Sequence, residues 1–302
     1  TIKQLSNGHI LTKTNEIILD SNYQNLDCVT TIGRITDISQ GVVEATDKVS
    51  NKQLKKIKNI SNIFAGDGVF VINKSELENI KPNADEKLVI KKYVDHNDVY
   101  KYRLDWNDKY LIYSDGLIKN KIQSDKRYCN LKNHLEKYKQ FITSSNKPYG
   151  LHRPRDLRYF TSPKIIFKGM FVDNQFTYDD RDYFVGFSFS LLIQKDSNYD
   201  LKYILAVLNS KFALDWFYKN GKKRGAGVDI GVEKLRMFPI KIASEPDQKQ
   251  FIEIVDKILA ITKSSDYLEK SAKQQEVKSY EKQIDQMVYK LYGFTYDEVK
   301  II

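Results

Sequence analysis

The sequence predicts an α+β protein: a mixed-sheet body followed by a C-terminal α-helical hairpin. Compact β-branched and aromatic runs recur between turn residues over the first two thirds of the chain. Residues 200–219 then switch to helical spacing. Beyond Pro246 the apolar residues fall mostly three and four apart as far as Gly293. The division expected is a body over residues 1–242 and a helical hairpin over 243–302.

The elements read in order as follows. Up to about residue 120, Gly68-Val-Phe-Val-Ile72 and Lys109-Tyr-Leu-Ile-Tyr113 are short strands, with surface helices at residues 51–59 and 75–80. Residues 124–142 form a basic helix capped by Ser124 or Asp125. Lys164-Ile-Ile-Phe-Lys168 is a short buried strand. Residues 171–178 and 183–193 flank Asp179-Asp-Arg-Asp182 as a hairpin, and Phe187, Phe189 and Leu191 alternate with Ser188 and Ser190. Leu201, Ile204, Leu205, Leu208, Phe212 and Trp216 fall on one face of a single helical run. The closing hairpin carries Phe251, Ile254, Val255, Ile258 and Ile261 on one helix. Val277, Tyr280, Ile284, Met287, Val288 and Leu291 lie on the other.

Composition narrows the classes of function. The 302 residues are 41% hydrophobic and 29% charged, which fits an ordinary folded protein rather than a disordered one. No stretch approaches the ~18 consecutive apolar residues of a membrane span, and no secretory signal opens the chain. Cys28 and Cys129 are the only cysteines, which argues against a disulfide scaffold and for the cytoplasm. With four histidines besides, a structural zinc site is not expected. The first residue is Thr1 rather than Met, so the sequence is expected to be a piece of something longer.

The net charge is +10, unevenly spread. Residues 101–150 carry +6 and residues 201–250 carry +5, whereas residues 251–302 carry −1. That pattern describes a body facing a polyanion and a tail used for packing.

No catalytic centre emerges. Phe64-Ala-Gly-Asp-Gly68 has the look of a cofactor loop, but it precedes a strand, reversing the strand–loop–helix order that cradles a nucleotide. Asn146-Lys-Pro-Tyr149 lacks one proline of an Asn-Pro-Pro-Tyr catalytic loop. Pro246-Asp247 with Glu276-Val-Lys278 imitates a nuclease, yet on a helix positions i and i+2 diverge and cannot share one metal. His9, His96, His134 and His152 are scattered, without a serine–acid partnership. Catalytic and metal residues are therefore expected to be absent, and no cofactor is assigned to this chain.

Two basic constellations remain. Tyr149-Gly-Leu-His-Arg-Pro-Arg-Asp-Leu-Arg158 holds His152, Arg153, Arg155 and Arg158, and planar guanidinium forks suit guanine or phosphate. Lys219-Asn-Gly-Lys-Lys-Arg-Gly-Ala-Gly227 reads as a glycine-flexible loop. Lys219, Lys222 and Lys223 would meet phosphates and Arg224 would read a base.

Several segments, in order, carry a family resemblance. These are Asp37-Ile-Ser-Gln-Gly-Val-Val43, Gly68-Val-Phe-Val-Ile72, Arg153-Pro-Arg155 with Pro163-Lys-Ile-Ile166, Leu201 to Phe212, and Gly231-Val-Glu-Lys-Leu-Arg-Met-Phe-Pro-Ile240. Gln283 to Gly293 closes the series. The set resembles the TaqI-type C-terminal specificity domain of adenine-specific DNA methyltransferases and type IIG restriction–modification enzymes. The resemblance implies sequence-specific recognition of double-stranded DNA for a bacterial restriction–modification methyltransferase. It also implies a methyltransferase or nuclease–methyltransferase domain upstream, where S-adenosylmethionine would bind. Two alternatives stay open: a self-sufficient DNA-modifying enzyme, and a specificity subunit of a type I system. An RNA-binding module is disfavoured, because the aromatic run of an RNA-recognition sheet is missing.

Overall fold

The computed structural model describes residues 29–57 and 61–300, with the backbone of three two-residue strands at Lys3–Gln4, Ile10–Leu11 and Ile17–Ile18. His9, Cys28 and the end of the 51–59 segment lie outside the described residues. The architecture is α+β, and it is organised around one sheet that touches two hydrophobic cores.

That sheet is antiparallel throughout, in the order Phe176–Asp179, Lys164–Lys168, Phe189–Gln194, Thr36–Gln40. Side chains alternate across a strand, so each strand feeds both faces. Ile165, Phe167 and Leu192 enter one core with Ile38 and Phe176. Ile166, Phe189 and Leu191 enter the other. Continuous apolar runs such as Ile165-Ile-Phe167 follow directly from burial on both faces.

A second sheet lies on the latter core, in the order Phe184–Val185, Ile90–Val94, Lys109–Ile112, Val71–Asn73. Phe184–Val185 runs parallel to Tyr93–Val94, and its neighbours are antiparallel. The first core is completed by helices Leu201–Leu208 and Lys211–Asn220 and by the closing hairpin Glu245–Thr262 and Ser271–Tyr292. Ser244 caps the third of these helices with Pro246 in its first turn, and Gly293 ends the fourth at φ +74°. These hairpin boundaries agree with the sequence reading.

Four expectations are corrected. The segments at 171–178 and 183–193 do not pair with each other, because Lys164–Lys168 lies between them. A strand apolar on both sides belongs in the middle, where both cores can use it. The period-two reading also fails: Phe187 is 61% exposed in the preceding turn, while Ser190 is buried. The helical run at 200–219 breaks at Asn209-Ser210. The Asn209 amide accepts from and donates to the Phe176 backbone, at 3.2 and 2.9 Å. Ser210 then caps the next helix. The basic helix is shorter than 124–142: Asp125 caps a 3₁₀ turn at Lys126–Tyr128, followed by Cys129–Lys137. Phe141 and Ile142 leave the helix to fill the core.

One ionic contact sits inside the shared sheet. Lys164 and Asp179 are direct cross-strand partners, their side chains have no exposure, and Nζ lies 2.8 Å from Oδ2. The ammonium also donates to the carbonyls of Phe160 at 2.8 Å and Arg181 at 2.7 Å, so all three protons are used. Burial pushes the Lys164 ammonium below its usual pKa, and Asp179 opposes that shift.

Removing Asp179 leaves the buried ammonium without a counter-ion, and removing Lys164 leaves the buried carboxylate with only the more exposed Arg181, at 2.9 Å. Asp179→Ala or Lys164→Met alone is expected to cost about 3–5 kcal/mol in urea unfolding. The double variant Lys164→Met/Asp179→Leu is expected to recover most of that loss, because it buries no orphan charge.

Candidate nucleic-acid interface

The edge strand Thr36–Gln40 sets the position of the first basic constellation. Beyond it the chain passes Gly41, where an added Cβ would lie 2.2 Å from the Gly186 carbonyl oxygen. Only glycine allows this approach, and it lets Val42 bond to Val185 at 3.0 Å. Val43 then exchanges backbone hydrogen bonds with Arg153, at 2.9 and 3.0 Å. Residues 152–158 are thereby anchored beside the sheet edge.

Their side chains divide by environment. Arg153 is exposed and pairs with no carboxylate among the described residues. Arg155 adopts φ +66° and turns back on the edge, its guanidinium donating to the Gly41 carbonyl at 3.3 Å and Gln40 Oε1 at 3.2 Å. Burial, with the charge of Arg153, holds its pKa below the usual value. Arg158 pairs with Asp37 and Asp156, each at 3.1 Å, and lies over the Tyr159 ring. His152 is half-buried, its Nδ1 facing the Ser145 hydroxyl at 3.1 Å.

The second constellation is a β-hairpin, which corrects the expectation of a flexible loop. Lys222–Arg224 pairs with Gly227–Asp229 across a two-residue turn that begins at Gly225, φ +56°. Met170–Phe171 forms a third strand. Phe171 and Val228 drop into the core, and the Tyr218 hydroxyl donates to the Val172 and Ala226 carbonyls at 2.8 and 3.1 Å. Buried anchors on one side therefore hold an exposed basic ribbon on the other. Lys222 and Lys223 are exposed and make no ion pair among the described residues. Arg224 reaches Asp229 at 3.8 Å, and Lys219 pairs with Asp215 at 2.7 Å.

A groove of about 420 Å³ lies between Arg155 of the first constellation and the segment that follows the second. Ser39, Gln40 and Arg155 line one part of it, and Ile230 to Lys234 line the remainder. Ile230, directly after the ribbon, bonds to the Gly169 carbonyl at 2.9 Å. Lys234 therefore joins the set, a residue the sequence reading quoted only as part of a family motif. Its placement depends on Gly231, which turns the chain at φ +50°.

The remaining chemical candidates have structural explanations. Phe64–Gly68 is a turn into Val71–Asn73, with the Gly68 amide donating to Glu76. His134 lies 2.9 Å from the Val69 carbonyl, and burial lowers its pKa. Asp247 and Glu276 with Lys278 lie on separate helices. Among the described residues, no three His, Cys, Asp or Glu side chains gather as a metal site. No helix there is long and apolar enough to cross a membrane.

Glu44 was not anticipated. It follows the Arg153 pairing partner, is 4% exposed, and accepts from the Tyr93 hydroxyl at 2.9 Å. No cation among the described residues pairs with it, and burial pushes its carboxyl up to about 7. Only the fold could reveal it, since nothing in the local sequence marks a buried carboxylate.

Residues 91–240 match the TaqI-like C-terminal specificity domain. That stretch of the chain belongs to the family. The matched stretch spans both basic constellations and the groove residues Arg155 and Ile230 to Lys234, while Ser39 and Gln40 lie outside it. The type II methyltransferase M.MjaIV of Methanocaldococcus jannaschii is 24% identical over 249 residues, covering 77% of this chain and 79% of that protein. Among solved structures, the type IIL restriction–modification enzyme MmeI in complex with DNA superimposes with a TM-score of 0.62 at 14% identity. The match covers 88% of this chain but 34% of MmeI. The type IIG restriction endonuclease BpuSI gives a TM-score of 0.49 at 12% identity, covering 89% of this chain and 32% of that one. The chain thus spans about a third of these solved enzymes.

Glu44 generates a signed pH prediction. Below its unfolded pKa of 4.5 the carboxyl is protonated in both states. Between 4.5 and about 7 only the folded state keeps the proton, so stability falls as pH rises through that window. Glu44→Gln removes the penalty. Chemical unfolding is expected to show the variant gaining over wild type by up to about 3 kcal/mol at pH 8, and by nothing near pH 4.5.

Proposed function

We propose that this specificity domain recognises a particular double-stranded DNA sequence and thereby positions an adenine methyltransferase, or a fused nuclease–methyltransferase, on its target. The carrying observation is that the family match encloses both basic constellations, and that Arg155 of one and the segment directly after the other line a common groove. A two-stranded ribbon is of a size that fits the DNA major groove, and the Lys222–Asp229 hairpin offers one with exposed cations. The likeness to MmeI in complex with DNA supports this reading at the level of fold.

In this proposal base eversion and methyl transfer belong to a catalytic domain outside the sequence, and S-adenosylmethionine binds there. The turn at Phe64–Gly68 does not fit that cofactor, because a strand rather than a helix follows it. A second reading has one observation behind it: the alignment covers 79% of a protein named as a methyltransferase. Calorimetry with S-adenosylmethionine separates the two. Micromolar binding by this chain alone would favour the self-sufficient enzyme.

Roles within the interface follow from side-chain environment. Arg153, Lys222 and Lys223 meet the polyanion, Arg224 reads a base, and Lys234 lines the groove. Arg155 and Arg158 shape the edge on which the others stand.

Duplex binding is expected to weaken steeply between about 50 and about 200 mM salt, as condensed counterions are released. Lys222→Ala/Lys223→Ala should weaken binding to every sequence alike and flatten the log–log salt slope by about two units. An unchanged affinity at low salt would make the ribbon merely structural.

Arg153→Ala should reduce DNA affinity and leave the melting temperature alone. Arg155→Ala should instead lower stability by about 1 kcal/mol in thermal unfolding, because the Gly41 carbonyl loses its donor. The opposite pattern would exchange the two roles.

A further inference from the structure

Beside the Val43–Arg153 bridge lies a second cavity, of about 570 Å³, which the interface described above does not use. It falls within the roughly 300–1,000 Å³ of small-molecule sites. Glu44 and Tyr93 line it, together with Gly186, Phe187 and Ser188. Three features set it apart from a surface dimple.

The Glu44 carboxylate is buried with one side-chain donor, the Tyr93 hydroxyl, and no cation. A carboxylate has about four acceptor sites, so acceptor capacity is left over. Nearby Lys48 and Lys109 engage Asp95 instead.

Gly186 keeps that pair open. A Cβ there would stand 2.4 Å from the Tyr93 hydroxyl oxygen and 3.0 Å from Glu44 Oε1. Any side chain would close over the acceptor.

Phe187, the next residue, is 61% exposed. An uncovered aromatic ring on the lining of a cavity with a buried acceptor is the pairing that binds unstacked bases: the ring takes a base face and the acceptor takes its edge. Val43, directly before Glu44, is hydrogen-bonded to the Arg153 backbone, so a nucleic-acid backbone held by that arginine lies close by.

We infer that this cavity takes one unstacked nucleobase bearing an exocyclic amino group, stacked on Phe187 with the amino group donating to Glu44. Thymine is disfavoured, because it has no exocyclic amino group and its one edge donor, N3–H, is flanked by carbonyl oxygens that would face the carboxylate. The inference rests on the DNA-recognition reading and extends it to a specificity-determining pair.

Labelled deoxycytidine and thymidine ten-mers, titrated against the purified chain by fluorescence anisotropy at about pH 8.5, above the Glu44 pKa of about 7, test it. The two bases differ in the amino group at C4, in N3 as acceptor or donor, and in the C5 methyl. Wild type is expected to bind the cytidine strand at least about five-fold more tightly. Glu44→Gln should bring the two strands within about two-fold, because an amide can serve either base. Phe187→Ala, a change at an exposed site, should weaken both strands about five-fold or more while keeping their ratio. Melting curves for each variant separate misfolding from lost recognition.

Equal binding of the two strands by wild type, or unchanged binding by Phe187→Ala, overturns the pocket. If duplex DNA still binds with a steep salt slope in that case, the recognition function stands without it. If wild type binds neither strands nor duplex, both readings fall together.

Discussion

The strand Lys164–Lys168 has no solvent side to spare: alternate residues enter two different cores, and both of its edges are paired. A sheet in that position must solve a polar problem internally, and the Lys164–Asp179 pair does so with a full set of hydrogen bonds to the ammonium. Such pairs add little net stability over apolar replacements, but once present they tolerate only one register. With Lys164 opposite Asp179, Ile165 faces Tyr178 and Ile166 faces Thr177; on the other edge Ile165 faces Leu192 and Ile166 faces Leu191, so each core receives its own residues. The edge strand Thr36–Gln40 takes its place from Phe189–Gln194, the strand on the far side of Lys164–Lys168 from Asp179.

Cations in this molecule serve two purposes that charge counting cannot separate. Arg155, Arg158 and Arg236 secure the sheet edge, with Arg236 donating to the Ile38 carbonyl at 3.1 Å. Arg103 works at a distance from the groove. Its Nη1 donates to the Thr262 and Ser264 carbonyls at 2.8 and 3.0 Å, at the end of the first hairpin helix. Thr262 returns a bond to the Tyr102 carbonyl at 2.7 Å. The body and the helical hairpin are thus tied by short polar contacts as well as by a common apolar core. What remains for a polyanion is the smaller set of cations that the fold leaves unspent.

Glycine and exposed apolar residues mark where that set is displayed. Gly41 permits two strands to meet, and Gly225 turns the ribbon so that its cations project. Phe187 is left uncovered on the lining of a cavity whose innermost acceptor is short of partners. Each is a local departure from ordinary packing, and each lies in or beside a segment that carries basic side chains. The helical hairpin, close to neutral in charge, shows little of this and is spent on packing.

Periodicity and capping chemistry were legible before any fold was known. The closing helices, with Pro246 in the first turn of one and Gly293 ending the other, follow from apolar residues at helical spacing and residues suited to their ends. The ordered family segments and the lysine-rich middle likewise needed only the chain itself. Pairing partners were not legible. That Lys164–Lys168 separates two neighbouring arms, that Asn209 breaks a helix to serve Phe176, and that Arg155 turns inward while Arg153 does not are long-range outcomes. Glu44 shows the reason most directly: its protonation depends on burial beneath residues about 50 and 140 positions away. Spacing encodes a residue's own element, whereas desolvation and pairing depend on what the rest of the chain places against it.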